Sequence, residues 1–91
     1  MLIVVAYDVA NNRRRVRLRS VLRKYGLPVQ ESVFECQVTP GEARKMKAEV
    51  RKTIRKSADL VRFYTLCRDC QDLVEDQNGP VDVEIPLAMV V

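Results

Sequence analysis

The 91-residue sequence contains no histidine and no tryptophan, and it has only three glycines. Without histidine, neither a conventional Cys/His zinc site nor a histidine general base is expected within one chain. The few glycines offer no glycine-rich ligand loop, which disfavours a small-ligand regulatory module. No apolar run approaches the roughly 20 residues of a membrane span, and no cleavable signal is evident. We therefore expect a cytoplasmic protein with no membrane contact.

Cysteine is also scarce, and the three cysteines do not make an even disulfide set. Cys67 and Cys70, in the motif "CRDC", have the spacing of half a zinc site, but the other half is missing. A zinc ion shared between two copies and a redox pair are two interpretations of this motif. The interpretation that the sequence favours is that of ordinary cytosolic thiols near a strand end.

Basic residues are missing from the last part of the chain. All sixteen lysines and arginines lie in residues 1–68, against six acidic residues there, whereas residues 69–91 carry six acidic residues and no basic one. This asymmetry indicates a body that binds a polyanion, followed by an acidic tail. The alternative is an ordinary solvated surface of mixed charge.

The first 26 residues predict a buried strand followed by an amphipathic helix. Residues 1–8 are almost all apolar without alternation, which is typical of a strand buried on both faces. Asn11 or Asn12 can cap the helix, and Gly26 ends it. One apolar stripe runs along this helix: Leu18, Val21, Leu22 and Tyr25.

Residues 28–38 predict extended structure, either one long strand or two short strands bent near Ser32. One face of this structure carries Phe34, Cys36 and Val38.

A second helix is predicted from "TPGE" onward, with Thr39 as its cap and Glu42 three residues later. Its apolar side comprises Ala43, Met46, Val50 and Ile54. Residues 60–67 predict another apolar strand, residues 78–80 a turn, and residues 81–85 an alternating strand.

The resulting order, β-α-β-β-α-β with an extra C-terminal strand, predicts an α+β fold: a single ferredoxin-like domain over residues 1–91. Both helices then cover one face of an antiparallel sheet. Because residues 1–8 and 60–67 are apolar on both sides, the other face needs a cover. A second copy of the chain is the simplest cover, so we predict a homodimer packed through the sheets.

Asp8 ends the first apolar run and must be solvated, paired or bound to a metal. It can cap the helix or pair with Arg13–Arg15, it can hold a hard cation such as Mg²⁺, or it can act as a general base. The last role is disfavoured because no histidine partner exists. In a symmetric dimer, an Asp8 near the axis becomes two carboxylates, which makes a Mg²⁺ site plausible.

Between Asp8 and Gly26 the chain carries six arginines and one lysine, with no acidic residue among them. On a helical wheel Arg13, Arg17 and Lys24 form a strip. Arginine matches phosphate oxygens with two parallel hydrogen bonds. Since aromatic residues are few and no base-reading motif is present, we expect recognition of the nucleic-acid backbone and shape.

The segments "VVAYDV", "RRRVRLRSVLRKYG", "VQESVFEC" and "VRFYTLC" together resemble the Cas2 family of small CRISPR-associated adaptation proteins, over about residues 1–67. The resemblance implies a ferredoxin-like homodimer whose last strand, about residues 80–91, completes the partner's sheet. It also implies a Mg²⁺-dependent endonuclease acting on single-stranded RNA or duplex DNA, with Asp8 as the catalytic and metal-binding residue.

The same resemblance assigns nucleic-acid contacts to one set of residues: Tyr7, Arg13, Arg14, Arg15, Arg17, Arg19, Ser32 and Phe34. Glu31 departs from the pattern, which has an aromatic or basic residue there. The resemblance further implies a partnership with the adaptation integrase of the CRISPR system. The alternative function is a non-catalytic scaffold that grips duplex DNA and bridges the integrase, in which Asp8 is structural.

Overall fold

The computed structural model describes residues 1–83, whose main body is a four-stranded antiparallel sheet with two long helices on one face. Its strands are β1 (Leu2–Asp8), β2 (Leu27–Gln30), β3 (Val33–Gln37) and β4 (Leu60–Leu66), in the spatial order β2-β3-β1-β4. The helices are α1 (Asn12–Arg23) and α2 (Pro40–Thr53). The predicted β-α-β-β-α-β order and ferredoxin-like fold are confirmed.

Strand β1 lies at the centre of the sheet, paired with β3 and with β4. Its alternate residues Ile3, Val5 and Tyr7 face the helices and belong to the core. Leu2, Val4, Ala6 and Asp8 face the opposite side, which we call the open face. Asp8 is the last residue of β1 and faces this side, so it lies at one corner of the open face.

Helix α1 begins where the sequence predicts, because the Asn11 side chain accepts a hydrogen bond from the Arg14 backbone N–H at 3.0 Å. Leu18 and Leu22 are fully buried against the sheet, and Val21 and Tyr25 pack beside them. The predicted apolar stripe is confirmed.

Helix α2 begins at the predicted capping box. The Thr39 hydroxyl accepts a hydrogen bond from the Glu42 backbone N–H at 3.2 Å, and the Glu42 carboxylate accepts one from the Thr39 backbone N–H at 2.9 Å. Ala43, Met46 and Val50 are buried, as their spacing predicts. Two strands, separated by residues 31–32, account for the extended segment before this helix, which settles the alternative that the sequence leaves open.

The C-terminal segment differs from prediction. A one-turn helix, α3 (Arg68–Gln71), follows β4, and a small hairpin pairs β5 (Glu75–Asp76) with β6 (Gly79–Pro80). The predicted strand over 81–85 is wrong for residues 81–83, which have no regular structure, and its remainder lies outside the described residues. Just before this segment, the backbones of residues 75–76 and 79–80 pair with each other in the hairpin. Val83 is buried, and its carbonyl accepts a hydrogen bond from the Gln37 side chain and does not pair with a strand.

Part of the open face is covered by the chain itself. The Gln37 side-chain amide donates to the Gln71 side chain at 3.0 Å and to the Val83 carbonyl at 2.8 Å, which holds Gln71 and Val83 over the end of the sheet that contains Leu2. The residues between them lie beside the open face of β2 and β3. Leu2 is fully buried there. The chain's own C-terminal segment therefore covers this end of the open face, and the predicted homodimer contact stays a prediction for the part that is accessible.

Along β4, side chains on the open face remain accessible. Leu60 is 57% exposed, and Tyr64, which lies under the Arg62 guanidinium, is 45% exposed. Within residues 1–83, no helix is both long enough and apolar enough to cross a membrane.

Candidate nucleic-acid interface and metal site

Asp8 is exposed at the last position of β1, opposite Leu60 of β4. It borders an open depression of about 350 Å³ at the corner of the sheet. The lining residues are Tyr7, Asp8, Val9, Ala10, Arg15, Glu31 and Ser32. The predicted Asp8, Arg15 and Ser32 are thus brought together from β1, α1 and the β2–β3 turn.

The Arg15 side chain is held at this depression by neutral acceptors. Its guanidinium donates to the carbonyl oxygens of Val9 at 3.1 Å and Ala10 at 3.3 Å, and to the Asn12 side chain at 2.7 Å. None of these acceptors carries a charge. The positive charge of Arg15 therefore remains available to an anion placed beside Asp8.

Arg15 begins a row of arginines along α1, at positions i, i+4 and i+8: Arg15, Arg19 and Arg23. Burial raises the pKa of the Tyr7 phenol above its ordinary value of 10.0, and the charges of Arg19, Arg15 and Arg23 oppose that rise. All three guanidinium groups are therefore close enough to act electrostatically on the Tyr7 phenol, and Arg15 also lines the depression beside Asp8. We call this set the arginine row.

Arg23 is a member that the sequence interpretation missed. The predicted strip of Arg13, Arg17 and Lys24 rests on proximity on the helical wheel, whereas the row that acts on Tyr7 follows the i, i+4 spacing from Arg15. Glu31 was missed as well, and its carboxylate is a second acidic group at the depression.

Arg14 has a different role from the predicted nucleic-acid contact. Its guanidinium forms two hydrogen bonds with the Asp59 carboxylate, at 2.7 and 3.1 Å, and the Asp59 side chain is 1% exposed. Asp59 also accepts the Arg55 backbone N–H at 2.8 Å. These hydrogen bonds, the one from Arg14 above all, lower the pKa of Asp59. The Arg14 charge is thus committed to joining α1 to the loop before β4.

Tyr7 and Phe34 lie in the core, which corrects their predicted contact with nucleic acid. Phe34 is fully buried and Tyr7 is 6% exposed, with their ring centroids 6.4 Å apart. The Tyr7 hydroxyl donates to the Glu31 carbonyl at 3.0 Å. A side chain enclosed in this way cannot stack on a base, so both residues instead support the β1 end and the turn that shape the depression.

The helical side of the molecule carries a separate, larger basic surface. Arg13 and Arg17 are exposed on α1. Lys24, the third residue of the predicted strip, pairs with Glu49 at 2.8 Å. Helix α2 adds exposed basic residues to the same layer: Arg44, Lys45, Arg51 and Lys52.

Mg²⁺ prefers oxygen ligands such as the Asp8 carboxylate, and it usually keeps several of its own water molecules when it binds. Within residues 1–83, however, no group of three or more His, Cys, Asp and Glu side chains is arranged to hold a metal ion. Asp8 and Glu31 are the two carboxylates at the depression. These carboxylate oxygens are suitable ligands for Mg²⁺, but one chain supplies too few of them to hold the ion alone. A second Asp8, from another copy of the chain, would add one more carboxylate.

A four-stranded antiparallel sheet covered on one face by two helices defines the chain as a small α+β protein of the ferredoxin-like class. The family model of CRISPR associated protein Cas2 matches residues 1–74, and the chain belongs to this family. A protein named CRISPR-associated endoribonuclease Cas2 3, from Synechocystis, is 38% identical over 90 residues, covering 99% of this chain and 98% of the relative. A protein of the same name from Thermodesulfovibrio yellowstonii is 44% identical over 64 residues, covering 70% of this chain and 72% of the relative.

Solved structures give the same relationship. The crystal structure of Streptococcus pyogenes Cas2 at pH 6.5 matches with a TM-score of 0.74 and 36% identity, covering 84% of this chain and 98% of that chain. A chain in the structure of a partial Cas6-RT-Cas1–Cas2 complex matches with a TM-score of 0.74 and 31% identity, covering 94% of this chain and 98% of that chain.

Proposed function

We propose that the protein is a CRISPR-associated endoribonuclease that requires Mg²⁺ and whose cleavage centre is formed by the Asp8 residues of two copies. The observation that carries this proposal is the exposed Asp8 carboxylate at the end of a buried strand, beside an arginine row whose members make no ion pair within residues 1–83. The similarity to relatives that bear the name endoribonuclease supports it.

In phosphodiester cleavage, the Asp8 carboxylate and the arginine side chains would have different roles. Asp8, with oxygen atoms from its depression, would hold Mg²⁺, which when bound supplies a more acidic water and neutralises charge on the phosphate. Arg15, Arg19 and Arg23 would bind the substrate's phosphates and orient the scissile bond at Asp8. Ser32 offers a hydroxyl at the same depression.

A homodimer is part of this proposal because the accessible part of the open face, along β4 and the end of β1, includes Asp8. From Leu2 to Asp8 the open-face residues of β1 change from buried, through half-buried Val4 and Ala6, to exposed. Leu60, paired with Asp8, is an exposed apolar residue beside them. A symmetric contact through this patch would cover the apolar residues and bring the two Asp8 carboxylates towards one axis.

The basic surface on α1 and α2 favours a second function, a duplex-DNA-binding scaffold in an integrase complex. Its exposed charges lie on the helical layer, away from the open face, so DNA could bind there while the dimer contact is kept. The likeness to a chain of the Cas6-RT-Cas1–Cas2 complex supports an integrase partner. This function requires no metal at Asp8.

Cleavage and binding measured together distinguish the two functions. Labelled single-stranded RNA and duplex DNA are incubated with wild type and Asp8→Asn, in Mg²⁺ and in EDTA. We expect RNA cleavage only in Mg²⁺, a loss of about 100-fold or more in Asp8→Asn because the metal ligand is removed, and RNA binding within about twofold of wild type.

The control variant is Asp72→Asn, which removes an exposed carboxylate at the far side of the molecule and should cleave like wild type. Cleavage that persists in Asp8→Asn would contradict the enzymatic proposal. Salt-sensitive DNA binding by wild type with no cleavage of either substrate would instead support the scaffold.

A further inference from the structure

The CxxC motif at the start of α3 places two thiols on the surface within one helical turn of each other. Cys67 is the N-cap of α3, and its sulfur accepts the Cys70 backbone N–H at 3.4 Å. Both residues are exposed. The N-cap and N3 positions face each other across one helical turn, as they do in a capping box, so a bond between the two sulfurs leaves the turn in place.

We propose that Cys67 and Cys70 form a reversible dithiol–disulfide pair, in which Cys67 attacks a low-molecular-weight disulfide and Cys70 resolves the product. The proposal concerns a modification site at the opposite end of β1 from Asp8, so it does not depend on the cleavage centre.

The electrostatics of the pair assign the two roles. The hydrogen bond from the Cys70 side chain lowers the pKa of the Cys67 thiol, and the same hydrogen bond raises the pKa of Cys70. Thiolate character therefore concentrates on Cys67, and a thiolate is the attacking species in thiol–disulfide exchange.

Access is provided by an open depression of about 410 Å³ in which Cys67 lies beside Met1, Gln37 and Arg68. The Arg68 guanidinium can meet the carboxylates of a small anionic disulfide such as glutathione disulfide. Cys36, by contrast, is fully buried in the core, and burial raises its pKa to about 12. The chain thus contains an unreactive thiol as an internal reference.

The exchange balances in two steps. The Cys67 thiolate attacks one sulfur of the disulfide RSSR, which forms Cys67–S–S–R and releases RS⁻. Cys70 then loses its proton and attacks the Cys67 sulfur, which forms the Cys67–Cys70 disulfide and releases the second RS⁻. Two protein thiols are oxidised, and RSSR is reduced to two RSH after each RS⁻ takes up one of the released protons.

The test treats the reduced full-length protein with glutathione disulfide and follows it by intact-mass spectrometry and alkylation mapping. We expect wild type to lose two hydrogen atoms, with little accumulated mixed disulfide, and to recover them on addition of excess reduced glutathione. Cys70→Ser should stop as a stable glutathione adduct on Cys67. Cys67→Ser should react more slowly than Cys70→Ser, by a factor of about three or more. Cys36→Ser should behave like wild type.

Circular dichroism checks that each variant is folded before it is compared. A wild-type protein that stops at the mixed disulfide would overturn the proposed proximity of the two sulfurs. Equal rates for Cys67→Ser and Cys70→Ser would overturn the assignment of roles. Stoichiometric zinc that blocks both thiols in the purified protein would also contradict the redox pair and favour a metal site.

Discussion

At the scale of single residues, the partners of each arginine decide what its charge can do. Arg14 and Lys24 are paired with Asp59 and Glu49 in the folded chain. Arg15 is held only by neutral oxygen atoms and lines the depression beside Asp8, and with Arg19 and Arg23 it acts on the neighbouring Tyr7 phenol. Arg15 is therefore the arginine of α1 placed to bind a phosphate next to the proposed cleavage centre, and Arg19 and Arg23 continue its row along the helix.

Replacing Arg23 by glutamine removes one charge from the end of this row. We expect weaker binding of single-stranded RNA, and a plot of log affinity against log salt that is less steep by about 0.7, the value for one lost phosphate contact. Filter binding over a range of salt concentrations measures both quantities. The matched control is Arg68→Gln, an exposed arginine at the opposite end of the sheet, which should keep the wild-type slope. A slope unchanged in Arg23→Gln would contradict the assignment.

The role of a residue could be predicted where its neighbours in sequence determine its environment. It could not be predicted where a residue far away in sequence is its partner. Asp8 could be placed from the end of an apolar run, because a charge cannot lie inside a buried strand. Arg14 could not be excluded from the binding set, because Asp59 is 45 residues away in sequence. Phe34 could be assigned to a face, but its complete burial depends on how the helices pack over that face.

At the scale of elements, local signals fixed both long helices. The Asn11 cap, the Thr39–Glu42 capping box and the apolar stripes each lie within a few residues, so the sequence contained all of the information. Helix α3 and the β5–β6 hairpin escaped prediction because they are too short to be stable alone. Side-chain contacts hold them in place: the Gln71 amide donates to the Leu66 carbonyl at 3.3 Å, and the Asn78 N–H donates to Asp76 at 2.7 Å.

The connection from α1 to β2 depends on the absence of a side chain at Gly26. A Cβ there would overlap the Glu35 carbonyl oxygen and come within 2.6 Å of the Cys36 sulfur. We expect Gly26→Ala to lower the free energy of unfolding by about 1–3 kcal/mol, measured by urea denaturation. Gly41→Ala is the control, because its Cβ meets nothing closer than 3.8 Å and it lies within α2, so the variant should be neutral or up to about 1 kcal/mol more stable. Equal losses in the two variants would contradict the packing at Gly26.

At the scale of the whole molecule, the open face is divided between the chain's own C-terminal segment and an accessible apolar patch around Leu60. The sequence could predict that this face needs a cover, because the strands are apolar on both sides. It could not predict that Gln37, Gln71 and Val83 would cover the Leu2 end, since these contacts span 34 and 46 residues. The remaining patch is the surface through which we propose that two copies meet.

A charge placed in this patch should separate the two copies. We expect Leu60→Asp to be monomeric in sedimentation velocity at concentrations where wild type is a dimer, because a buried unpaired carboxylate opposes the contact. Leu73→Asp is the control, since Leu73 is 77% exposed on the C-terminal segment and its replacement should leave the dimer intact. A monomeric wild type, or dissociation by Leu73→Asp but not by Leu60→Asp, would contradict the proposed interface.

The central claim, a cleavage centre shared by two copies through Asp8, is tested most directly by the stoichiometry of metal binding. Mn²⁺, as a substitute for Mg²⁺, is titrated into the protein while electron paramagnetic resonance records the free ion. The account predicts one bound ion per two chains in wild type and loss of that ion in Asp8→Asn. One ion per chain, or a bound ion that persists in Asp8→Asn, would contradict it.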